Sequence, residues 1–242
     1  RNHPLFLPLV NLLLNFITSD RICLNAAIDS SRAFGFILSD KKHGVSEDSM
    51  WSLERHYKKF VLHKQKFYAH SSREIKIRYG KEQQQGNNEK LLLCSLALQI
   101  PHLPLAVYKR DIEWLLRELI RVLTTDVIIN GNDHEDLLCA MFDCLENLIQ
   151  RDFCEKLVGF LPSLIELNLK HAQCAKTMRV RQSALKCLSR IPGSFKHSDL
   201  LVYRSATVDR LRSCLADKKR LVRQSAAEAR LRWSLIGQPI GS

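Results

Sequence analysis

Residues of the kinds that do chemistry gather in two ways along this 242-residue chain. Asp133-His134-Glu135-Asp136 sets four acid–base or metal-ligating types side by side, and eight cysteines (Cys23, Cys94, Cys139, Cys144, Cys154, Cys174, Cys187, Cys214) run through apolar segments. Their spacings do not serve a site. No two cysteines stand as CxxC, the pattern of a zinc ribbon or a dithiol redox centre. Cys139 and Cys144 are five residues apart, which on a helix places them about 140° apart, too far round to share a metal. The acidic tract precedes an apolar-periodic run, where carboxylates complement the positive end of a helix dipole, so it reads as a helix start. A Gly-rich phosphate loop, GxSxG and HExxH are missing from the sequence. The chain is therefore expected to be no enzyme, with no catalytic residue, no cofactor and no metal site. Its cysteines are expected to be reduced and mostly buried, as in a reducing compartment.

What positions these residues is a repeat. Val180-Arg181-Gln182-Ser183-Ala184 returns as Val222-Arg223-Gln224-Ser225-Ala226, 42 residues later, and Cys187-Leu188 follows Cys144-Leu145 by 43. A period near 42 built from helix pairs is that of HEAT and armadillo arrays. Ile112, Leu115, Leu116, Leu119, Ile120 and Leu123 keep the spacing of a helix buried on one face, and no stretch alternates with period two. The expected fold is all-α, a HEAT-type α-solenoid of antiparallel helix pairs in a right-handed superhelical stack. Residues 105–242 divide into three regular repeats, 105–150, 153–192 and 198–236, with a short C-terminal tail. Residues 1–104 read as irregular helical repeats with a polar insertion near 80–88, where Gln83 to Asn88 is the most loop-like tract.

Helices are expected over 3–18, 20–38 (capped by Ser19 or Asp20), 49–69, and from Glu89 to just before Pro101, with Arg73 to Asn88 irregular. Asn130-Gly131 turns the chain into a helix from Asp133 to Ile149. The remaining segments are Phe153 to Lys170, Lys176 to Arg190 (ended by Pro192-Gly193), Ser198 to Leu215 and Asp217 to Leu235. The apolar run Leu5 to Ile17 has no small-residue cleavage site after it and is too short to span a bilayer, so it reads as a buried helix. A first residue of Arg rather than Met leads us to expect part of a longer protein.

The net charge of +12 is uneven: from Lys170 onward there are 16 Lys and Arg against 4 Asp and Glu, so the whole excess lies there. Such a block suits an acidic partner, whether nucleic acid, acidic protein or anionic lipid; a solvated face with no specific partner is the plainer reading. Within the repeat register, Cys144, Cys187 and Ala229 share one slot, which calls for a small buried group. Asp217 can cap the helix it begins, Val222 should bury, and Arg181 and Arg223, some 100° round from the buried valines, can bridge adjacent repeats. Lys218, Lys219 and Arg220 open a helix where positive charge opposes the dipole, which favours a binding role over a stabilising one. Trp114 reads as core, whereas Trp233 can either cap the solenoid or meet a partner. The partner-binding candidates are Arg179, Arg181, Lys218, Lys219, Arg220, Arg223 and Trp233.

The tract Asp217 to Ser242, DKKRLVRQSAAEARLRWSLIGQPIGS, carries a resemblance to a known family. So do Met178-Arg179-Val180-Arg181-Gln182-Ser183-Ala184-Leu185-Lys186-Cys187 and Leu62-His63-Lys64-Gln65-Lys66-Phe67-Tyr68. They resemble the C-terminal region of the large HEAT-repeat adaptor of the cytosolic iron–sulfur targeting complex, the methyl methanesulfonate sensitivity and nucleotide excision repair homologue family. The resemblance implies a non-catalytic scaffold found in cytoplasm and nucleus. It would dock a WD40 propeller subunit and a small acidic subunit, and help deliver [4Fe–4S] clusters to client apoproteins such as helicases, primase and DNA polymerases. The reading of another class is a nucleic-acid-binding helical repeat that uses the basic C-terminal surface. Solenoids that read RNA present base-reading side chains at a fixed place in every repeat, and here the equivalent positions are Leu138, Arg181 and Arg223, which form no code.

Overall fold

A computed structural model describes residues 6–19, 21–39, 50–82, 87–125, 135–149 and 154–238; of residues 6, 50–61, 82, 87 and 156 it describes the backbone alone. The protein is all-α, built of helical repeats, with no strand among the described residues. Nor is any helix among them long and apolar enough to cross a membrane. The chain divides into two compact units, 1–111 and 112–242.

The first unit contains α1 (Phe6–Thr18), α2 (Leu24–Leu38), α3 (Met50–Glu82), α4 (Asn87–Ala97) and α5 (Leu105–Tyr108). α1 buries Val10, Leu14 and Ile17 at helical spacing and pairs with α2, while α4 packs against α1, α2 and α3. The expected cap at Ser19 is not used. α2 begins at Leu24 after Cys23, without a side-chain cap, and the Ser19 hydroxyl instead accepts the Arg21 N–H at 3.3 Å in the preceding turn. Asp20 lies outside the described residues.

The irregular stretch expected from Arg73 is helical as far as Glu82. Tyr68, Ser72, Ile75 and Tyr79 continue one buried stripe along α3, and that burial outweighs the polar residues between them. Gln83 to Gly86 lie outside the described residues. After α4 the chain makes a 3-10 turn, Ile100–His102, that admits Pro101 in its first positions, where a missing N–H leaves no bond unmade. Tyr108 is buried, and Asp111 accepts the Tyr68 hydroxyl at 2.8 Å and the Lys76 ammonium, so the unit runs on to that aspartate.

The second unit contains α6 (Ile112–Thr124), α7 (Glu135–Leu148), α8 (Cys154–Leu157), α9 (Leu161–Cys174), α10 (Met178–Ser194), α11 (His197–Cys214) and α12 (Arg220–Ser234). The six apolar residues read along α6 are all buried, with Glu113 and Arg117 exposed on its far side and paired at 3.3 Å. α9 starts at Leu161 rather than at Phe153, after the short α8 and a 3-10 turn over 158–160, because Pro162 suits a first helical turn and not a helix interior. The Asn130-Gly131 turn and Asp133-His134 lie outside the described residues; Glu135 and Asp136 do fall in the first turn of α7.

α10 is the centre of this unit, packed against α7, α9 and α12. Cys144, Cys187 and Ala229, from α7, α10 and α12, are each fully buried, so one small slot recurs at the repeat spacing in three helices. α10 does not end before Pro192 but carries it in its last turn, closed by the Phe195 N–H on the Ile191 carbonyl at 3.1 Å. A proline there removes the N–H that would have bonded the Leu188 carbonyl, four residues back. That orphaned acceptor is put to use by α12.

Candidate partner-binding site

Six of the seven candidate residues stand in or just before α10 and α12, at the ends where each helix starts, and the repeat decides what each can reach. Arg179 is spent on the preceding repeat: its Nη1 bonds Asp136 at 2.5 Å, and its Nε lies 3.8 Å from Glu135. Arg181 is partly buried. Its Nη1 donates to the carbonyls of Ala175 (2.9 Å) and Lys176 (3.1 Å), and its Nε and Nη2 hold both carboxylate oxygens of Asp217 at 2.8 and 3.2 Å. This is the bridge between repeats that its position allowed.

Asp217 precedes α12 rather than beginning it. One of its oxygens accepts the N–H of Lys219, the residue at the helix cap, at 2.8 Å. Burial works to raise the Asp217 pKa, but the Lys219 N–H, the Arg181 bonds and the nearby Arg223 charge outweigh it and hold the carboxyl below its ordinary value of 3.8. Arg223 lies exposed, its Nη1 on the carbonyls of Asp217 (2.8 Å) and Lys218 (3.2 Å). Lys218, Lys219 and Arg220 are exposed as well, and among the described residues their side chains make no hydrogen bond or ion pair.

Trp233 corrects its assignment as a partner contact. It is fully buried, and its indole N–H donates at 2.9 Å to the Leu188 carbonyl that Pro192 leaves free. A buried indole needs such a partner, and this one fixes α12 on α10. Beside it, Arg232 reaches the Ser189 carbonyl at 3.4 Å. The structure therefore brings Lys218, Lys219, Arg220 and Arg223 together around one helix start, joins Arg181 to them through Asp217, and sets Arg179 and Trp233 apart.

Sequence reasoning missed the exposed apolar residues on and just after α11 and α12. Leu201, Val202, Leu221, Leu231 and Leu235 are exposed, Val202 at 83%. One signal was available for them. In the 42-residue register Leu231 falls where α10 has buried Ser189, so an apolar residue replaces a polar one at a repeat-facing position.

The cysteines are all free thiols; six are buried, while Cys23 and Cys174 are exposed. Burial pushes the thiols of Cys94 and Cys187 far above the usual range and raises those of Cys139 and Cys214. Such thiols stay protonated and are poor nucleophiles and metal ligands. No group of three or more His, Cys, Asp or Glu residues among the described residues is placed to hold a metal ion.

Against known proteins, residues 1–192 match the family model described as RNAPII transcription regulator C-terminal, the MMS19 C-terminal region. The chain is 29% identical over 215 residues to the MMS19 nucleotide excision repair protein homolog of Xenopus laevis, an alignment covering 84% of this chain and 20% of that protein. With the DNA repair/transcription protein mms19 of Schizosaccharomyces pombe it shares 27% identity over 233 residues, covering 96% of this chain and 21% of that protein. The chain thus spans about a fifth of the length of these curated relatives. A crystal structure of an engineered protein is similar in fold, with a TM-score of 0.53 at 14% identity, covering 96% of this chain and 99% of the other.

Proposed function

The chain belongs to the MMS19 C-terminal family, and from that premise we propose that it is a non-catalytic docking module of a DNA repair and transcription protein, whose basic helix start binds a partner subunit. The observation that carries the reading is the trio Lys218, Lys219 and Arg220. These are three adjacent cations, exposed and unpaired among the described residues, at a helix end where positive charge is unfavourable and so not explained by stability. By contrast, Arg179, Arg181, Arg190, Lys196, Arg210 and Arg232 each meet a carboxylate, and Arg204 and Arg223 are held by backbone carbonyls.

The resemblance noted in the sequence supplies the identity of the partners. The module acts as an adaptor of the cytosolic iron–sulfur targeting complex, docking its WD40 propeller subunit and its small acidic subunit. The [4Fe–4S] cluster is cargo handed to client helicases and DNA polymerases, in cytoplasm and nucleus. An acidic subunit is the charge complement of the trio, and such complementarity acts mainly on encounter rate and specificity.

The test is co-sedimentation of the 242-residue protein with the two subunits after nuclease treatment. Changing Lys218, Lys219 and Arg220 together to Glu should weaken association, more at low salt than at high. Unaltered assembly of the triple variant at low salt rules the trio out. Association lost on nuclease treatment would favour the nucleic-acid reading instead.

A further inference from the structure

We propose that Arg223 is a preformed receptor for the carboxylate that leads a partner protein's helix, seated on the face of α12 that carries Arg230 and Leu231. The inference rests on the reading above that this end of the chain docks a protein, and it names the element that docks.

The protein contains its own occupied copy of the site. One period earlier, Arg181 Nη1 is fixed by the carbonyls of Ala175 and Lys176, and its remaining edge grips the carboxylate of Asp217, the residue that leads α12. Arg223 reproduces the first half of that arrangement residue for residue, with Nη1 on the carbonyls of Asp217 and Lys218, each 42 positions on from its counterpart. The second half is open: the side chain is exposed, and among the described residues it meets no carboxylate. A guanidinium already held by two carbonyls has little rotamer freedom left to lose, and its planar fork suits a carboxylate bound through two parallel bonds.

The face beside it follows the same translation. Leu188 and Ser189 of α10 are buried, and their carbonyls receive Trp233 and Arg232 of α12. Forty-two residues on stand Arg230 and Leu231. Leu231 is 60% exposed, and the Nε of Arg230 is enclosed without an acceptor. Ala227, one turn earlier, is exposed and small enough for close approach.

The face therefore asks for what α12 gives to α10: a helix apolar on one side, with an acid just before its start. That acid is also favoured by the dipole of its own helix, and Lys218, Lys219 and Arg220 add attraction. A second copy of this chain cannot supply the acid from the same place, because its Asp217 is already held by its own Arg181.

The probe is a fluorescent, hydrocarbon-stapled peptide with the sequence of residues 214–234, carrying Lys218→Gln, Lys219→Gln and Arg220→Gln so that it keeps the Asp217 leader without the like charges. Titrated into the 242-residue protein at low salt, it should bind saturably by fluorescence anisotropy. Arg223→Ala in the protein, or Asp217→Asn in the peptide, should each weaken binding about tenfold or more, and the two losses should not add. Thermal unfolding of Arg223→Ala should match that of the unchanged protein, so that the loss is one of binding. No saturable binding, or equal binding by Arg223→Ala, overturns the proposal. So does self-association by sedimentation velocity that Arg223→Ala abolishes, since the occupant is then a second copy. Partner subunits that bind Arg223→Ala normally but not the triple Glu variant would sink this inference and leave the docking reading intact.

Discussion

Each of the two units is held together internally by a different kind of polar contact. In the first, a buried and uncharged chain joins three helices. The Ser31 hydroxyl donates to the Leu91 carbonyl at 3.0 Å, Ser95 donates to Ser31 and to the same carbonyl, Gln99 donates to the Ser95 carbonyl, and Ser71 donates to Gln99 at 2.8 Å. In the second, the ties are charged and mostly exposed, and they cross from one repeat to the next. Arg179 meets Asp136, Arg190 meets Glu146 and Arg210 meets Glu166, at separations of 43, 44 and 44 residues. Neutral bonds in a dry interior specify one irregular arrangement and do not respond to salt, whereas an ion-pair ladder needs a regular repeat and is screened. The ladder also explains the uneven charge. Arg179, Arg190, Lys196 and Arg210 each reach back to an acid one repeat earlier, so the acids that match them lie before Lys170, and unmatched bases collect around α12.

The largest effect should come from the buried neutral anchor of α12 on α10, in the charged unit. Trp233→Ala removes a fully buried indole and should cost about 3–5 kcal/mol. Trp233→Phe keeps most of the packing but strands the Leu188 carbonyl, at about 1–3 kcal/mol. Hydrogen exchange followed by mass spectrometry should show both losses in α10 to α12 and not in α4. A deficit spread equally over both units would show that they do not hold together separately.

Next is the uncharged network. Gln99→Leu leaves the Ser71 hydroxyl and the Ser95 carbonyl short of a partner and should destabilise the first unit by about 1–3 kcal/mol, by the same amount at low and high salt. Salt dependence of that loss, read from chemical denaturation, would contradict the contrast drawn between the units.

The regular unit was the more legible in sequence for the same reason that it can carry a ladder. The VRQSA duplication and the shared Cys144, Cys187 and Ala229 slot place three helices correctly, and the bridging role of Arg181 followed from its angle to Val180. What could not be read depends on contacts outside the period. α3 runs on to Glu82 because Ile75 and Tyr79 meet a core that no local pattern announces. Trp233 is sequestered because Pro192, 41 residues earlier, frees a carbonyl for it. The first unit's Ser and Gln residues look like surface positions until three helices close over them. The tract Asp217 to Ser242 carries the family resemblance, whereas the family model matches residues 1–192, so the likeness extends over both units.

Arg181→Ala should have a smaller effect, about 1 kcal/mol, because the pair it breaks is only partly shielded from water. Its pH dependence identifies it. The Asp217 carboxyl is held below its ordinary value in the folded protein, so the tie contributes fully above about pH 4 and is lost as pH falls through the lower, folded value. Arg181→Ala should therefore lower the unfolding midpoint at pH 7, and by less once the pH lies below the folded value, where only the bonds to the Ala175 and Lys176 carbonyls and the packing remain to be lost. A difference that stays unchanged as the pH is lowered until the protein unfolds in acid would assign the loss to the packing and carbonyl bonds of the Arg181 side chain and not to its pairing with Asp217.

The smallest effect is the one that separates binding from stability. Lys218, Lys219 and Arg220 stand at the start of α12, where the free backbone N–H groups already carry partial positive charge. Residues kept for stability at such a place are acidic, and each cation there costs a few tenths of a kcal/mol. Changing all three to Glu removes that repulsion, but it also sets new carboxylates near Asp217, whose oxygens are already taken by Arg181 and the Lys219 N–H. The first effect acts on the helix end directly and the second through water at exposed positions, so the first prevails by a small margin. The triple variant should unfold at the same temperature as the unchanged protein or slightly above it, and the gain should vanish at high salt. Calorimetry at low and high salt measures this. A variant that is clearly less stable at low salt would mean that the three cations hold the repeat together, and their exposure would then need no partner to account for it.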